Sequence, residues 1–266
     1  MVYRSPRITV MVRAAEKAAR SLKRDFGEVE NLQVSKKGPA DFVSTADLKA
    51  EKILKEELKR ARPEFGFLTE EAGIEKGESK DERWIVDPLD GTTNFLHGLP
   101  HFAISIALEV RGQIEAALIY DPIKDEMFTA EKGKGAYLND KRLRVSARVG
   151  LDSIIVATGT PYLGRGDRGP FLREINTVMA QTAGVRRWGA AALDLAYVAA
   201  GRYDAFWERD LSAWDVAAGL LLVKEAGGSV TEIDGRPFKL ESKSILCANI
   251  DLHPKMVKMF KEAGKD

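Results

Sequence analysis

The chain has a single cysteine, Cys247, and three histidines among its 266 residues. One thiol cannot close an intramolecular disulfide, and with so few histidines no Cys/His zinc cluster can be assembled. Cys247 itself, in Ser-Ile-Leu-Cys-Ala, reads as a small buried apolar residue. No stretch approaches the ~20 consecutive apolar residues that span a bilayer, so no membrane partner is expected. An excess of one charge is also missing: 41 Lys and Arg stand against 40 Asp and Glu, a net charge of +1. Without a global field to gather polyanions, nucleic acid is not an expected partner, and Arg142, Arg144, Arg148, Arg165, Arg168, Arg186 and Arg187 read as solvated loop charges. The N-terminal segment is amphipathic and studded with charge where a secretory leader needs an apolar core, so a cytoplasmic enzyme is expected.

The length fits one large domain or two intimately packed halves. No repeat, low-complexity tract or Pro/Ser linker divides the chain, so one αβ-layered domain over 1–266 is expected, with its halves joining near 145. Apolar residues at helical spacing predict helices over 5–26 and 47–60, ahead of the first strand. Apolar runs at 65–68, 84–86, 102–108, 114–120 and 127–130 are separated by short polar turns and predict a mainly antiparallel first half. After Val145 come a strand-like 154–157, a Gly/Arg-rich loop over 159–169 and helical stretches near 170–181, 190–200 and 212–226, an α/β texture. A last amphipathic helix is expected near 253–263, with His253 on its surface.

The most informative segment is Trp84-Ile-Val-Asp87-Pro-Leu-Asp90-Gly-Thr-Thr-Asn-Phe95. An apolar strand runs into an aspartate, and Pro88, which lacks a backbone donor, is expected to end regular pairing and turn the chain. Asp87 and Asp90 can then converge, with the Leu89 carbonyl facing the same point. Hard oxygens of this kind suit Mg²⁺. Gly91 permits close backbone approach, and Thr92, Thr93 and Asn94 resemble a helix start, where N–H groups can hold an anion. Taken alone, Asp-Pro-x-Asp-Gly is also a plain Pro-Asp turn with a helix cap. Glu70 and Glu71 follow another strand. Asp215, in Trp214-Asp-Val-Ala-Ala-Gly219, and Asp47, after Val43-Ser-Thr-Ala46, each sit where a helix cap is the simpler reading. If these acids gather, they repel one another unless cations neutralise them, which argues for two or more Mg²⁺.

Together the segments resemble the inositol monophosphatase family of Mg²⁺-dependent, lithium-sensitive sugar-phosphate phosphatases. Asp87-Pro-Leu-Asp90-Gly-Thr-Thr-Asn-Phe is similar to its first signature, Trp214-Asp-Val-Ala-Ala-Gly219 to its second, and Glu70-Glu71 to its intervening acidic motif, over roughly Asp41 to Gly228. The resemblance implies a five-layered α-β-α-β-α sandwich of the α/β (α+β) class, usually a homodimer, acting on a small phosphorylated polyol or sugar. It implies that Glu70, Asp87, the Leu89 carbonyl, Asp90 and Asp215 hold two or three Mg²⁺. It also implies that Thr92, bonded to Asp47, orients or deprotonates the attacking water, and that Asp90, Gly91 and Thr92 face the substrate. Gly189, Ala190 and Ala191 would let a sugar ring approach the backbone, although simple helix-to-sheet packing is an equal use of small residues. Glu208 matches the carboxylate that accepts hydroxyl hydrogen bonds. His97 and His101 receive no role.

The sequence departs from the pattern at Arg209-Asp210, where a glycine is common at 210, and this leaves the substrate open. Thr93-Asn94 leans toward inositol-1-phosphate, with fructose bisphosphate as a further possible substrate. A 3′(2′),5′-bisphosphate nucleotidase or histidinol-phosphate phosphatase would use the same metal chemistry. A regulatory protein acting through its surface is the alternative of another class.

Overall fold

The computed structural model describes residues 4–28, 34–38, 41–161 and 167–264. Arg165 and the middle of the Gly/Arg-rich loop lie outside these residues.

Period-two alternation along three central strands, β5 (Glu82–Asp90), β6 (Ala103–Val110) and β7 (Gln113–Asp121), sorts their side chains onto two faces. Trp84, Val86, Ile104, Ile106, Leu108 and Leu118 face one side, where they bury the apolar stripes of helices α1 (Pro6–Phe26) and α2 (Thr45–Ala61). On the other side Ile85, Ala103, Ala107, Ala117 and Ile119 meet helices α5 (Ala191–Ala199) and α6 (Ala213–Glu225). The alanines on this inner face let both helices approach closely. Gly219 extends that economy: a Cβ there would lie 2.5 Å from the Cβ of Leu195, so the glycine of the second signature sets the contact between α5 and α6.

The first sheet runs β10-β9-β8-β7-β6-β5-β3-β4, with β3 (Gly66–Thr69), β4 (Gly73–Glu75), β8 (Glu126–Glu131), β9 (Gly135–Leu138) and β10 (Lys141–Arg142). All its neighbours are antiparallel except β3 and β5. The second sheet runs β12-β11-β13-β15-β14, with β11 (Ile155–Thr158), β12 (Gly184–Arg186), β13 (Ala205–Arg209), β14 (Gly228–Thr231) and β15 (Ser244–Asn249). Strand β11 is parallel to β12 and β13, while β15 is antiparallel to its neighbours. Phe206 and Cys247 point inward to α5 and α6, and Trp207, Leu246 and Ala248 point outward to α4 (Arg168–Gln181) and α7 (His253–Ala263). The result is the expected five-layer α-β-α-β-α order.

Three expectations need correction. A hairpin of β1 (Val34–Gly38) and β2 (Asp41–Ser44) precedes α2. Val-Ser-Lys-Lys-Gly has no apolar alternation to announce it. The chain does not leave the sheet at Pro88. Strand β5 continues to Asp90 through a bulge in which Pro88 and Leu89 stand opposite the single residue Ile104 of β6, so the missing N–H falls where the ladder is already broken. His253 is buried, not exposed: it opens α7 with Nε2 2.9 Å from the Thr231 hydroxyl on β14.

Candidate active site

The β5 bulge opens onto a cleft of about 550 Å³ between the two sheets. Its wall includes Glu70, Asp87, Leu89, Asp90, Gly91, Thr92, Gly189, Ala190, Ala191, Glu208 and Asp215, so nearly every candidate site residue reaches one space. Asp47 stands behind this wall, fully buried, and reaches the cleft through Thr92.

Each acid is placed by local backbone chemistry. Asp87 Oδ1 accepts the Leu89 N–H at 2.9 Å, which turns the bulge and exposes the Leu89 carbonyl. Asp90 accepts the N–H groups of Ala191 and Ala192 at 3.2 and 2.8 Å, so its carboxylate satisfies the N-terminus of α5 about a hundred residues away. Gly91 follows with φ +94°, and a Cβ there would lie 3.1 Å from the His101 carbonyl, so only glycine makes this turn comfortably. Helix α3 (Thr92–Leu96) then begins, with the Thr92 hydroxyl 2.9 Å from Asp47 Oδ1 and 3.1 Å from the Leu89 carbonyl oxygen. One hydroxyl proton serves one of these acceptors at a time.

Asp47 and Asp215 are not the N-caps themselves: Ser44 and Ser212 cap α2 and α6, and the two aspartates close the capping boxes from the third helical position. The N–H and hydroxyl of Ser44 donate to Asp47 Oδ2 at 2.9 and 2.5 Å, and the N–H of Ser212 donates to Asp215 Oδ2 at 2.7 Å. Capping fixes the side chain and leaves the other oxygen for the site. Ser105 pairs with Asp87 across the ladder, and its hydroxyl donates to the Trp214 carbonyl at 3.3 Å, which sets the start of α6 beside the bulge. Of the Glu70-Glu71 pair, Glu70 lines the cleft.

Burial and mutual repulsion shape the electrostatics. Burial, followed by the charges of Glu70, Asp90 and Asp215, pushes the Asp87 carboxyl well above the usual range. Asp90 rises to about 7, mainly through burial with Glu70 adding to it, against the helix N–H bonds that hold it down. Asp215 also rises to about 7, through burial and Asp90, and Glu208 to about 8, through burial, Asp215 and Asp90. Among the described residues no three His, Cys, Asp or Glu side chains are drawn together closely enough to hold a metal ion by themselves. The carboxylates instead ring the cleft. An open ring of oxygen donors that disfavour one another's charge fits Mg²⁺, which keeps several water ligands and is completed by substrate oxygens.

Four contributors escape sequence reasoning. Glu51, buried one turn beyond Asp47 on α2, accepts the N–H groups of Glu71 and Ala72 at 2.9 and 3.1 Å and so fixes the turn that follows Glu70. Its i+4 spacing from Asp47 is the signal that could have revealed it. Asn94 Nδ2 donates to the carbonyls of His101 and Trp188 at 2.8 and 2.7 Å, tying the loop of the first signature to the segment before Gly189. Asp194 is buried at the cleft wall, and its Oδ1 has no hydrogen-bond partner. Gly159 lies beside Glu208. The departure at Asp210 has a backbone reason: the position has φ +58°, a left-handed conformation that aspartate tolerates better than most residues. His101 is buried against Trp188 and lowered to about 4 by burial and Lys124, so it is a neutral packing group. Burial raises the Cys247 thiol, which leaves it inert.

The model of the inositol monophosphatase family matches residues 4–265. An inositol-1-monophosphatase of Rhizobium meliloti is 61% identical over 246 residues, 92% of each chain. The Nus factor SuhB of Pseudomonas aeruginosa is 45% identical over 248 residues, again 92% of each. The crystal structure of the extragenic suppressor protein suhB of Bartonella henselae superimposes with a TM-score of 0.95 at 57% identity, covering 97% of this chain and 99% of that one.

Proposed function

This chain belongs to the inositol monophosphatase family of phosphatases, which is in general metal-dependent, and from that premise we propose that it hydrolyses inositol-1-phosphate to inositol and phosphate with Mg²⁺. The observation that carries the reading is the convergence of Glu70 after β3, Asp87 and Asp90 on β5 and Asp215 on α6 beside the Thr92–Asp47 pair. In this reading the first four, with the Leu89 carbonyl, hold two or three Mg²⁺. Bound there, the ions supply positive charge to the phosphoryl oxygens and lower the pKa of water.

The remaining steps belong to the chain itself. The N–H groups at Gly91 and Thr92 face the phosphate, where the start of α3 favours negative charge. The Thr92 hydroxyl orients the attacking water in line with the ester oxygen and passes its own proton to Asp47 as it accepts one from the water; the water oxygen bonds to phosphorus as the phosphorus–oxygen bond to the polyol breaks, and the departing polyol oxygen takes a proton from solvent water. Burial raises the Asp47 pKa, which makes it a stronger proton acceptor than an exposed aspartate. No covalent enzyme intermediate is needed. The small residues Gly189, Ala190 and Ala191 admit the leaving polyol, and Glu208 accepts its hydroxyl hydrogen bonds.

An uncharged polyol suits the far end of the cleft, where Glu208, Asp194 and Asp210 are acidic, Arg209 is committed to buried Glu174, and Arg187 offsets only part of the charge of Glu208 and Asp194. The same acidity favours a second reading, a phosphate ester carrying an amine, such as histidinol phosphate. It disfavours a bisphosphate nucleotide. Phosphate release from inositol-1-phosphate, fructose bisphosphate, histidinol phosphate and an adenosine bisphosphate, each with Mg²⁺ and with EDTA, ranks these readings. Turnover that is unaffected by EDTA on all four contradicts the mechanism.

A cytoplasmic homodimer completes the proposal. Leu99, Ile123 and Trp188 are exposed on segments joined by the His101–Trp188 stack and the Lys124–Pro100 bond, which supports an apolar face for a second copy. Light scattering at twice the chain mass is the expected result. A Nus factor role, the name the Pseudomonas relative carries, is the alternative of another class. It gains if a cellular function survives Asp90→Asn.

A further inference from the structure

Strands β11 and β13 are parallel neighbours in register Thr158↔Trp207, so Gly159, one residue past the end of β11, stands beside Glu208 near the end of β13, at the C-terminal edge where open α/β sheets bind ligands. The Glu208 side chain does not rise straight from its strand. It folds sideways across β11, and its carboxyl group occupies the volume that a side chain at 159 would fill. The three atoms nearest to a Cβ built on Gly159 are Oε1, Cδ and Oε2 of Glu208, all well inside van der Waals contact. The Gly159 backbone also lies close enough to this carboxylate to favour its charged form. Position 159 therefore makes room for the carboxylate.

We propose that Gly159 is the specificity-determining residue of the leaving-group pocket: its missing side chain is the socket that holds the Glu208 carboxylate where the hydroxyls of a polyol can reach it. The proposal rests on the reading of Glu208 as a polyol acceptor given above. It explains a glycine that no left-handed backbone requires, since Gly159 is not among the residues with positive φ. The three atoms that a methyl group there meets first all belong to the end of one flexible side chain. Gly159→Ala therefore leaves the fold intact and displaces the carboxylate, making it a selective probe of the socket. Each displaced acceptor strands a buried hydroxyl of the bound polyol, and discrimination falls accordingly.

The experiment compares kcat/KM for inositol-1-phosphate with kcat/KM for p-nitrophenyl phosphate, whose leaving group carries no ring hydroxyls for Glu208 to recognise. Wild type, Gly159→Ala, Glu208→Ala and the double variant are measured at saturating Mg²⁺. The expected result is a drop of at least tenfold in the ratio for Gly159→Ala, mainly through a higher KM for inositol-1-phosphate, and no further drop when Gly159→Ala is added to Glu208→Ala. A folded Gly159→Ala enzyme whose ratio stays within twofold of wild type overturns the proposal. So does a drop that persists undiminished in the Glu208→Ala background. Should Gly159→Ala alone be insoluble, the double variant must fold as Glu208→Ala does, because the obstacle is gone; an insoluble double variant overturns the proposal as well. A wild-type enzyme with no preference for inositol-1-phosphate removes the polyol reading and the socket with it, whereas a preference that is present but unmoved by Gly159→Ala removes the socket alone.

Discussion

The Thr92 hydroxyl lies 2.9 Å from Asp47 Oδ1 across 45 positions of sequence, and the other oxygen of Asp47 is held by Ser44. The carboxylate is thus fixed from both sides, with one acceptor directed at one hydroxyl. A pair that relays a proton should lose roughly 10²- to 10⁴-fold in kcat when the hydroxyl is removed. Thr92→Val keeps the branched shape and tests this directly. Steady-state kinetics with a circular dichroism control is the measurement, and a kcat within threefold of wild type contradicts the relay.

Asp47→Asn carries a second, separable cost. It weakens the cap of α2 as well as the relay, so a stability loss of about 0.5–2 kcal/mol accompanies the loss of turnover. Thr92→Val should show the kinetic defect with a much smaller shift in denaturant midpoint. Equal stability losses in the two variants would place the cost in the Thr92–Asp47 bond that both disturb, not in the cap.

The acids of the cleft give the metal-free protein an unusual pH dependence. Asp90 and Asp215 sit at about 7 and Glu208 at about 8, all raised mainly by burial, while unfolded carboxylates titrate near 4. Between about pH 4 and 8 the folded chain therefore holds protons that the unfolded chain has released, and these groups remove stability as pH rises through that window. Melting in EDTA is expected at a lower temperature at pH 8 than at pH 6. Adding Mg²⁺ at pH 8 should restore most of the difference, because the ions favour the ionised carboxylates. Equal melting temperatures at the two pH values in EDTA would show that the acids do not share the cleft as described.

Asp90 joins the site to the scaffold, since its oxygens bond the first turn of α5. Asp90→Asn is expected to abolish turnover and to cost a further 1–2 kcal/mol or so, because an amide turns a donor toward backbone donors. High millimolar Li⁺, a small cation able to occupy a Mg²⁺ position, should inhibit the wild type. Full activity of Asp90→Asn, or insensitivity to Li⁺, counts against the metal arrangement.

Away from the chemistry, Gly219→Ala tests the packing that the second signature encodes. Its methyl group would stand 2.5 Å from the Cβ of Leu195, so overpacking of about 1–3 kcal/mol is expected. Pairing it with Leu195→Ala should give a non-additive double variant. Additive losses would place the strain elsewhere.

The three central strands, the helix faces and the acidic signatures were legible because each is a local pattern: alternation in β5 to β7, helical spacing in α1 and α2, and compact motifs around Asp87 and Asp215. What the sequence hid is either pattern-poor or non-local. Strand β1 of the β1–β2 hairpin is mostly polar and lacks alternation. Pro88 looked like a strand end, because a bulge is defined by the partner strand and not by the residue. His253 looked exposed because its cover, Thr231, comes from β14. At the site, the acids announced themselves, but their supports did not. Glu51 is defined by the 70–72 turn it pins, Asn94 by carbonyls from two other loops, and Gly159 by a side chain on the neighbouring strand.

Crystals grown with Mn²⁺ in place of Mg²⁺ and measured at the manganese absorption edge give the most direct test of shared divalent ions in the cleft. At least one anomalous peak is expected within coordination distance of Asp87 and of one or more of Glu70, Asp90 and Asp215. A map of the ordered cleft with no anomalous peak there, at Mn²⁺ concentrations that support turnover, would contradict the account.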